Sequence, residues 1–148
     1  MFCTVWLQGI KPIAADRKFT EFQINMGTNR AKDAIPCLQK AMKWDENNSI
    51  YLFMASDMAM RSRLYSYAAE LLEKIHNTHN GDLTGWAVEI KRGLAKRGCG
   101  DVVGAVEAFK LARLYNPTLP EPSLYIEKME REIKTGAITV DYGRGLEK

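Results

Sequence analysis

Small and large residues recur along this chain at a fixed distance. Ala34 and Ala68 stand 34 residues apart, as do Leu38 and Leu72, and Ala41 and Ile75. A third copy, Ala105, Phe109 and Ala112, follows after 37, which three extra residues in the Asn77–Gly85 stretch explain. A small residue, a large one four later and a shorter one three later share one face of a helix. A period of this length repeats one supersecondary unit, and each unit buries its apolar face only against its neighbours. The small residues let two helices approach closely, and the large one plugs the seam with the next pair.

Helical spacing runs through nearly the whole chain. Ala15, Phe19, Phe22 and Met26 make one stripe. After Gly27-Thr28-Asn29, which can turn and cap, Ala31, Ala34, Ile35, Leu38, Ala41 and Met42 make a second. Asp45 to Ser49 is a polar break with good capping residues. The segment Ile50 to Arg61 is apolar almost all round, as a helix sandwiched between others is. Leu64, Ala68, Leu71, Leu72 and Ile75 define a fourth helix, and Asn77 to Asp82 a loop. Leu83, Trp86, Ala87, Ile90 and Leu94 define a fifth, ending near Gly98. Asp101 caps a sixth, with Val102, Ala105, Val106, Phe109 and Ala112 as its stripe. Asn116-Pro117 stops it. Pro120 and Pro122 open a seventh through Met129 and Ile133, and Gly136 ends it. Pro36 conflicts with this pattern: inside the second helix it removes the bond to the Lys32 carbonyl, so the helix kinks or starts later.

The period, the Gly93 and Gly100-Asp101 of the third copy, its Ala105, Phe109 and Ala112, and the closing Pro117 resemble the tetratricopeptide (TPR) repeat family over roughly Ala15 to Ile133. The first copy departs from the pattern, with Phe22 where the family prefers Gly or Ala and Glu46 where it prefers Pro. The second has Ser56, Ala68, Leu72 and Ile75, with Asn80 in place of the terminal Pro. The resemblance implies an all-α array of three antiparallel helix pairs, a right-handed α-solenoid with a C-terminal capping helix. The repeats fall at about residues 15–48, 49–82 and 86–119, the cap at 120–135 and a flexible tail at 136–148, whose Ile138-Thr139-Val140 is strand-like. Residues 1–14 form an apolar N-terminal segment, either packed on the domain or the end of a transmembrane helix, far short of the ~20 residues a span needs.

Little in the chain supports catalysis. Gly98-Cys99-Gly100 and Gly143-Arg144-Gly145 lack the strand and the Lys-Ser/Thr of a phosphate loop, and no nucleophile–base motif is present. His76 and His79, with Glu73 and Asp82 near, are spaced for a metal but fall where a helix frays, and they read as exposed loop-end histidines. Cys3, Cys37 and Cys99 have no zinc spacing and read as free thiols, Cys37 and Cys99 packed as small apolar residues. No cofactor or metal is expected. A net charge of +3, with its charges interspersed, excludes a dedicated nucleic-acid binder.

A binding role has a definite geometry instead. In the TPR family the first helix of each pair lines the concave groove. Here that places Phe19, Gln23 and Met26 from the first pair, Phe53, Asp57, Met60 and Arg61 from the second, and Ile90, Lys91, Leu94 and Arg97 from the third. Apolar, Met-containing walls suit a peptide or helix, and the three bases suit an acidic element on a protein partner. As solvated surface groups, these bases are expected to tolerate charge reversal with thermal stability nearly unchanged. Family members that grip a C-terminal carboxylate use basic and Asn side chains where this chain has Phe19, Gln23, Met54, Ala87 and Lys91. Only Lys91 fits, which disfavours a carboxylate clamp. The arrangement of apolar stub, repeats and short tail is also similar to the soluble, non-catalytic tail of O-antigen ligase/polymerase-type membrane proteins. That resemblance implies a tether upstream of residue 1 and a place outside a bacterial inner membrane, where the interaction module alone is equally at home in the cytoplasm.

Overall fold

The computed structural model describes residues 2–28, 30–78 and 85–137. Among these residues there are seven α-helices and no strand: α1 (Phe2–Gly27), α2 (Ala31–Trp44), α3 (Ser49–Arg61), α4 (Tyr65–Thr78), α5 (Gly85–Gly98), α6 (Val102–Tyr115) and α7 (Glu121–Lys134). Short connections fold them into the pairs α1/α2, α3/α4 and α5/α6, with α7 laid on α6. The molecule is an all-α helical-repeat solenoid.

The period governs the backbone as well as the side chains. The turn inside each pair is closed by the same bond. Arg30 N–H donates to the Asn25 carbonyl at 2.8 Å, Leu64 N–H to Ala59 at 2.8 Å and Asp101 N–H to Lys96 at 2.9 Å. Such a bond requires a left-handed residue just before its donor. Gly100 supplies it with φ 89°, and Arg63 with φ 60°, where only a glycine would be unstrained. The matching Asn29 lies outside the described residues.

Two of the caps read from sequence form. Asn48 Oδ1 accepts from the Ile50 and Tyr51 amides at 3.1 and 3.3 Å, and Asp101 Oδ1 accepts from Gly104 N–H at 2.9 Å. At α2 the N-cap is Arg30, whose side chain makes no capping bond, and Asn29 of the expected cap lies outside the described residues. A later start does not resolve the Pro36 conflict either. α2 begins at Ala31 and runs through Pro36, whose exposed ring leaves the residue-32 carbonyl without its usual donor. The boundary between residues 14 and 15 falls inside α1, which runs unbroken from Phe2 to Gly27. No helix among the described residues is long and apolar enough to cross a membrane. α4 extends through Thr78, into the expected loop, whose remainder lies outside the described residues, as does the tail from residue 138.

Every member of the repeating triplets is buried, from Ala34, Leu38 and Ala41 to Ala105, Phe109 and Ala112. One core cluster runs from Ala15 and Phe22 on α1 to Val88 and Ala95 on α5, and a second gathers Val102, Ala105, Phe109, Ile126 and Met129. α5 and α6 approach closely. A Cβ on Gly93 would stand 2.6 Å from the Phe109 ring, whose other side stacks on Tyr125 of α7 at 4.8 Å between centroids. In the first pair the bulk is exchanged: Leu38 takes the Phe109 position, and Phe22 takes the Gly93 position, stacked 5.6 Å from Phe19. Cys37 is half-buried, whereas Cys99 is exposed rather than packed.

Alanine normally stabilises a helix relative to glycine by about 0.5–1 kcal/mol. At Gly93 the clash with Phe109 reverses that sign, and Gly93→Ala is expected to cost about 1–3 kcal/mol in urea unfolding. Gly27→Ala, where an added Cβ meets nothing within 4 Å, is expected to be neutral or mildly stabilising in the same measurement.

Candidate functional site

The first helices, α1, α3, α5 and then α7, are joined one to the next by polar bonds at the repeat distance. Tyr51 Oη donates to Asp16 Oδ1 at 2.6 Å, across 35 residues. The Lys91 ammonium donates to Asp57, 34 residues away, and lies over the Phe53 ring, 4.4 Å from its centroid. Arg97 donates to both oxygens of Glu132 at 2.8 Å, across 35 residues. Phe19 packs on Tyr51 at 4.7 Å between centroids. Burial and the Asp16 carboxylate hold the Tyr51 phenol well above its ordinary range.

This ladder organises most of the expected groove. Phe19, Phe53, Met60, Ile90 and Leu94 are half-buried along it, and Gln23 is exposed. Met26 sits elsewhere: it lines a cleft where the second pair meets α2. All three bases are paired, and of them only Arg61 is largely exposed. Arg61 Nε is 2.9 Å from Asp57 Oδ2, Lys91 holds the other oxygen of that carboxylate, and Arg97 is taken by Glu132. The expectation that their reversal leaves stability unchanged is therefore corrected for Lys91 and Arg97, whose side chains are only 25% and 29% exposed and tie neighbouring helices together.

The buried side of α5 is the larger surprise. The apolar stripe Trp86, Ala87, Ile90 and Leu94 is only half-buried, and Leu83 lies outside the described residues. Val88, Glu89, Arg92, Gly93 and Ala95 are buried instead. Glu89 is 2% exposed and accepts from Arg92 Nε at 2.9 Å; Arg92 also donates to Glu73 of α4 at 3.1 Å. Two acceptors on α4 and α5 satisfy the guanidinium, which fixes the rotation of α5. Burial works against the Arg92 cation, but hydrogen bonds and charge from Glu89 and Glu73 outweigh it and hold it further into the charged form.

His76 joins this cluster. It is not the exposed loop-end residue that its position suggested: its Nδ1 lies 2.7 Å from Glu89 Oε1, in the α4/α5 seam. His79 and Asp82 lie outside the described residues. Among the described residues, no group of three or more His, Cys, Asp and Glu is arranged to hold a metal. The sequence carried one signal for this cluster, the charged pair Glu89 and Arg92 at i, i+3, flanked by Val88 and Gly93. An apolar-stripe criterion passes over it.

Burial pushes the Asp57 carboxyl up, but the hydrogen bond and charge of Lys91, with Arg61 beside it, bring it net below its ordinary value of 3.8. A carboxylate with a lowered folded value stabilises the fold above its unfolded value and ceases to do so as pH falls through the folded one. Asp57→Asn is expected to cost about 1–2 kcal/mol at neutral pH. The gap between wild-type and variant melting temperatures should narrow as pH falls below the ordinary carboxylate value of 3.8 and through the lowered folded one. A gap that stays constant with pH contradicts this. At the buried cluster, Glu89→Ala leaves Arg92 without its nearest carboxylate, and the expected loss is about 3–5 kcal/mol by chemical denaturation.

No family model matches the chain, and no curated protein matches it significantly. Solved structures do. The first TPR of Spaghetti (RPAP3) bound to the HSP90 peptide SRMEEVD is 14% identical with a TM-score of 0.70, covering 83% of this chain and 95% of that one. The second TPR domain of human RPAP3, in complex with the HSP70 peptide SGPTIEEVD, is 15% identical with a TM-score of 0.65, covering 82% and 97%. The Sgt2 TPR domain from Aspergillus fumigatus is 21% identical with a TM-score of 0.66, covering 89% and 91%. These structures lend no support to the glycan-ligase resemblance. They agree in fold over most of both chains: the chain has the fold of a TPR domain.

Proposed function

We propose that this chain is a protein-interaction module that holds a peptide or helix against the face of its first helices. One observation carries the reading. On α5 the buried positions include Glu89 and Arg92, while the apolar Ile90 and Leu94 are only half-buried, and Lys91 beside Ile90 lies over the half-buried Phe53 ring. A helix that places charge inside and leaves apolar side chains part-exposed offers those side chains for contact. Relatives in fold that carry bound chaperone peptides support peptide binding in general.

The chemistry of recognition differs from a carboxylate clamp. Lys91, the one side chain matching such a clamp, already holds Asp57. An acidic ligand would have to displace Asp57 or Glu132 from its partner. The groove therefore recognises mainly apolar side chains, with Arg61, 73% exposed, as the base an acidic residue reaches most easily.

The test is selection of 12-residue peptides on the immobilised chain, followed by titration of those enriched. Enriched peptides should carry apolar anchors, and Phe53→Ala should weaken them about tenfold or more while the helical signal is retained. SRMEEVD should bind far more weakly than the enriched peptides. If Phe53→Ala and Leu94→Ala left the enriched peptides' affinity unchanged, the groove is assigned to the wrong face.

A further inference from the structure

A second apolar surface lies away from this face. The contact between α2 and α3 is the smallest between any two successive helices. This seam leaves a cleft of about 490 Å³. Met26, Met42 and Met58 form much of its wall, and Ile35, Leu64 and Tyr67 stand at its edge, 44%, 57% and 48% exposed. Methionine side chains adapt to the shape of what they meet, which suits a surface that must repack around a ligand.

Charge selects among occupants. The charged lining residue is Arg61; those adjacent in sequence to lining positions are Lys40, Lys43, Arg63 and Asp57. Asp57 is held by Lys91 and Arg61. Lys43, next to the lining Met42, is exposed on α2, and Arg61 and Arg63 are exposed at the turn into α4, so exposed bases stand beside lining residues of both elements. The apolar lining ends on Ile35, Leu64 and Tyr67, which are exposed at the cleft's edge and which an enclosed small ligand would leave in water. An amphipathic helix covers trough and edge at once, its apolar row in the trough and carboxylates toward these bases.

We propose that the cleft between α2 and the α3/α4 pair is a second docking site, for a partner helix whose apolar face is flanked by Asp or Glu. It shares Arg61 with the peptide face described above and is otherwise lined by residues outside the Phe53 side.

The probe is an 18-residue amphipathic helix with Leu at i, i+3, i+7 and i+10 and Glu on both flanks, titrated against the full chain with methyl-labelled methionines. The expected result is saturable binding in the micromolar range, with shifts at Met26, Met42 and Met58 and none at Met129 on α7. The same helix with Lys flanks should bind at least tenfold more weakly, and added salt should reduce the difference. Ile35→Lys with Leu64→Lys changes exposed positions only, and should weaken the Glu-flanked helix at least tenfold. A peptide selected for the Phe53 face should not compete, which separates failure of either site from failure of the other. Three results would overturn the proposal: equal binding of the Lys-flanked helix, shifts confined to methionines outside the cleft, or no binding below about 1 mM. Decanoate shifting Met42 and Met58 where the helix does not would assign the cleft to an acyl chain instead.

Discussion

The Phe109 ring, seated on Gly93 and stacked on Tyr125, is where the repeat becomes a structure. A pair of 14-residue helices is too short to be stable alone in water. Its apolar faces must be shared with the helices before and after it. One ring that touches its own pair through a glycine and the next helix through an aromatic face does both. The other close contacts follow from the same demand for small spacing, such as Gly98 beneath the Tyr65 ring of α4.

Shared burial alone does not fix the rotation of each helix, and here polar contacts do. Arg92 is held by Glu89 on its own helix and Glu73 on α4, so α5 turns its charged side into the stack. That choice leaves Ile90 and Leu94 facing the side where Lys91 and Arg97 reach α3 and α7. The same ion pairs that align the first helices neutralise the face they form. A ligand there meets rings and aliphatic chains before it meets unpaired charge, whereas at the α2 cleft Arg61 lines an apolar wall that holds three methionines.

The fold was largely legible in the order of residues. The 34-residue spacing of Ala34, Leu38 and Ala41 with their later copies identified every pair, because packing at a repeated seam demands the same sizes at the same places. Asp101 and Asn48 were legible as caps because capping is a local hydrogen bond. The burial of Glu89 and Arg92, with half-buried His76 beside them, was not. Their burial is stabilised by one another across two helices, and no stripe of apolar residues announces it. The pairing of the groove bases was hidden for the same reason, since Lys91 and Asp57 are 34 residues apart and meet only when the pairs stack.

By itself, the sequence determined how many helices there are, where most of them turn, and which small and large residues meet at their seams. Those are consequences of local backbone preference and side-chain volume. Only the tertiary structure decided which way α5 faces, which charges are taken and where a seam stays open. Those depend on the partners each side chain finds across the stack, and a partner across the stack belongs to another repeat.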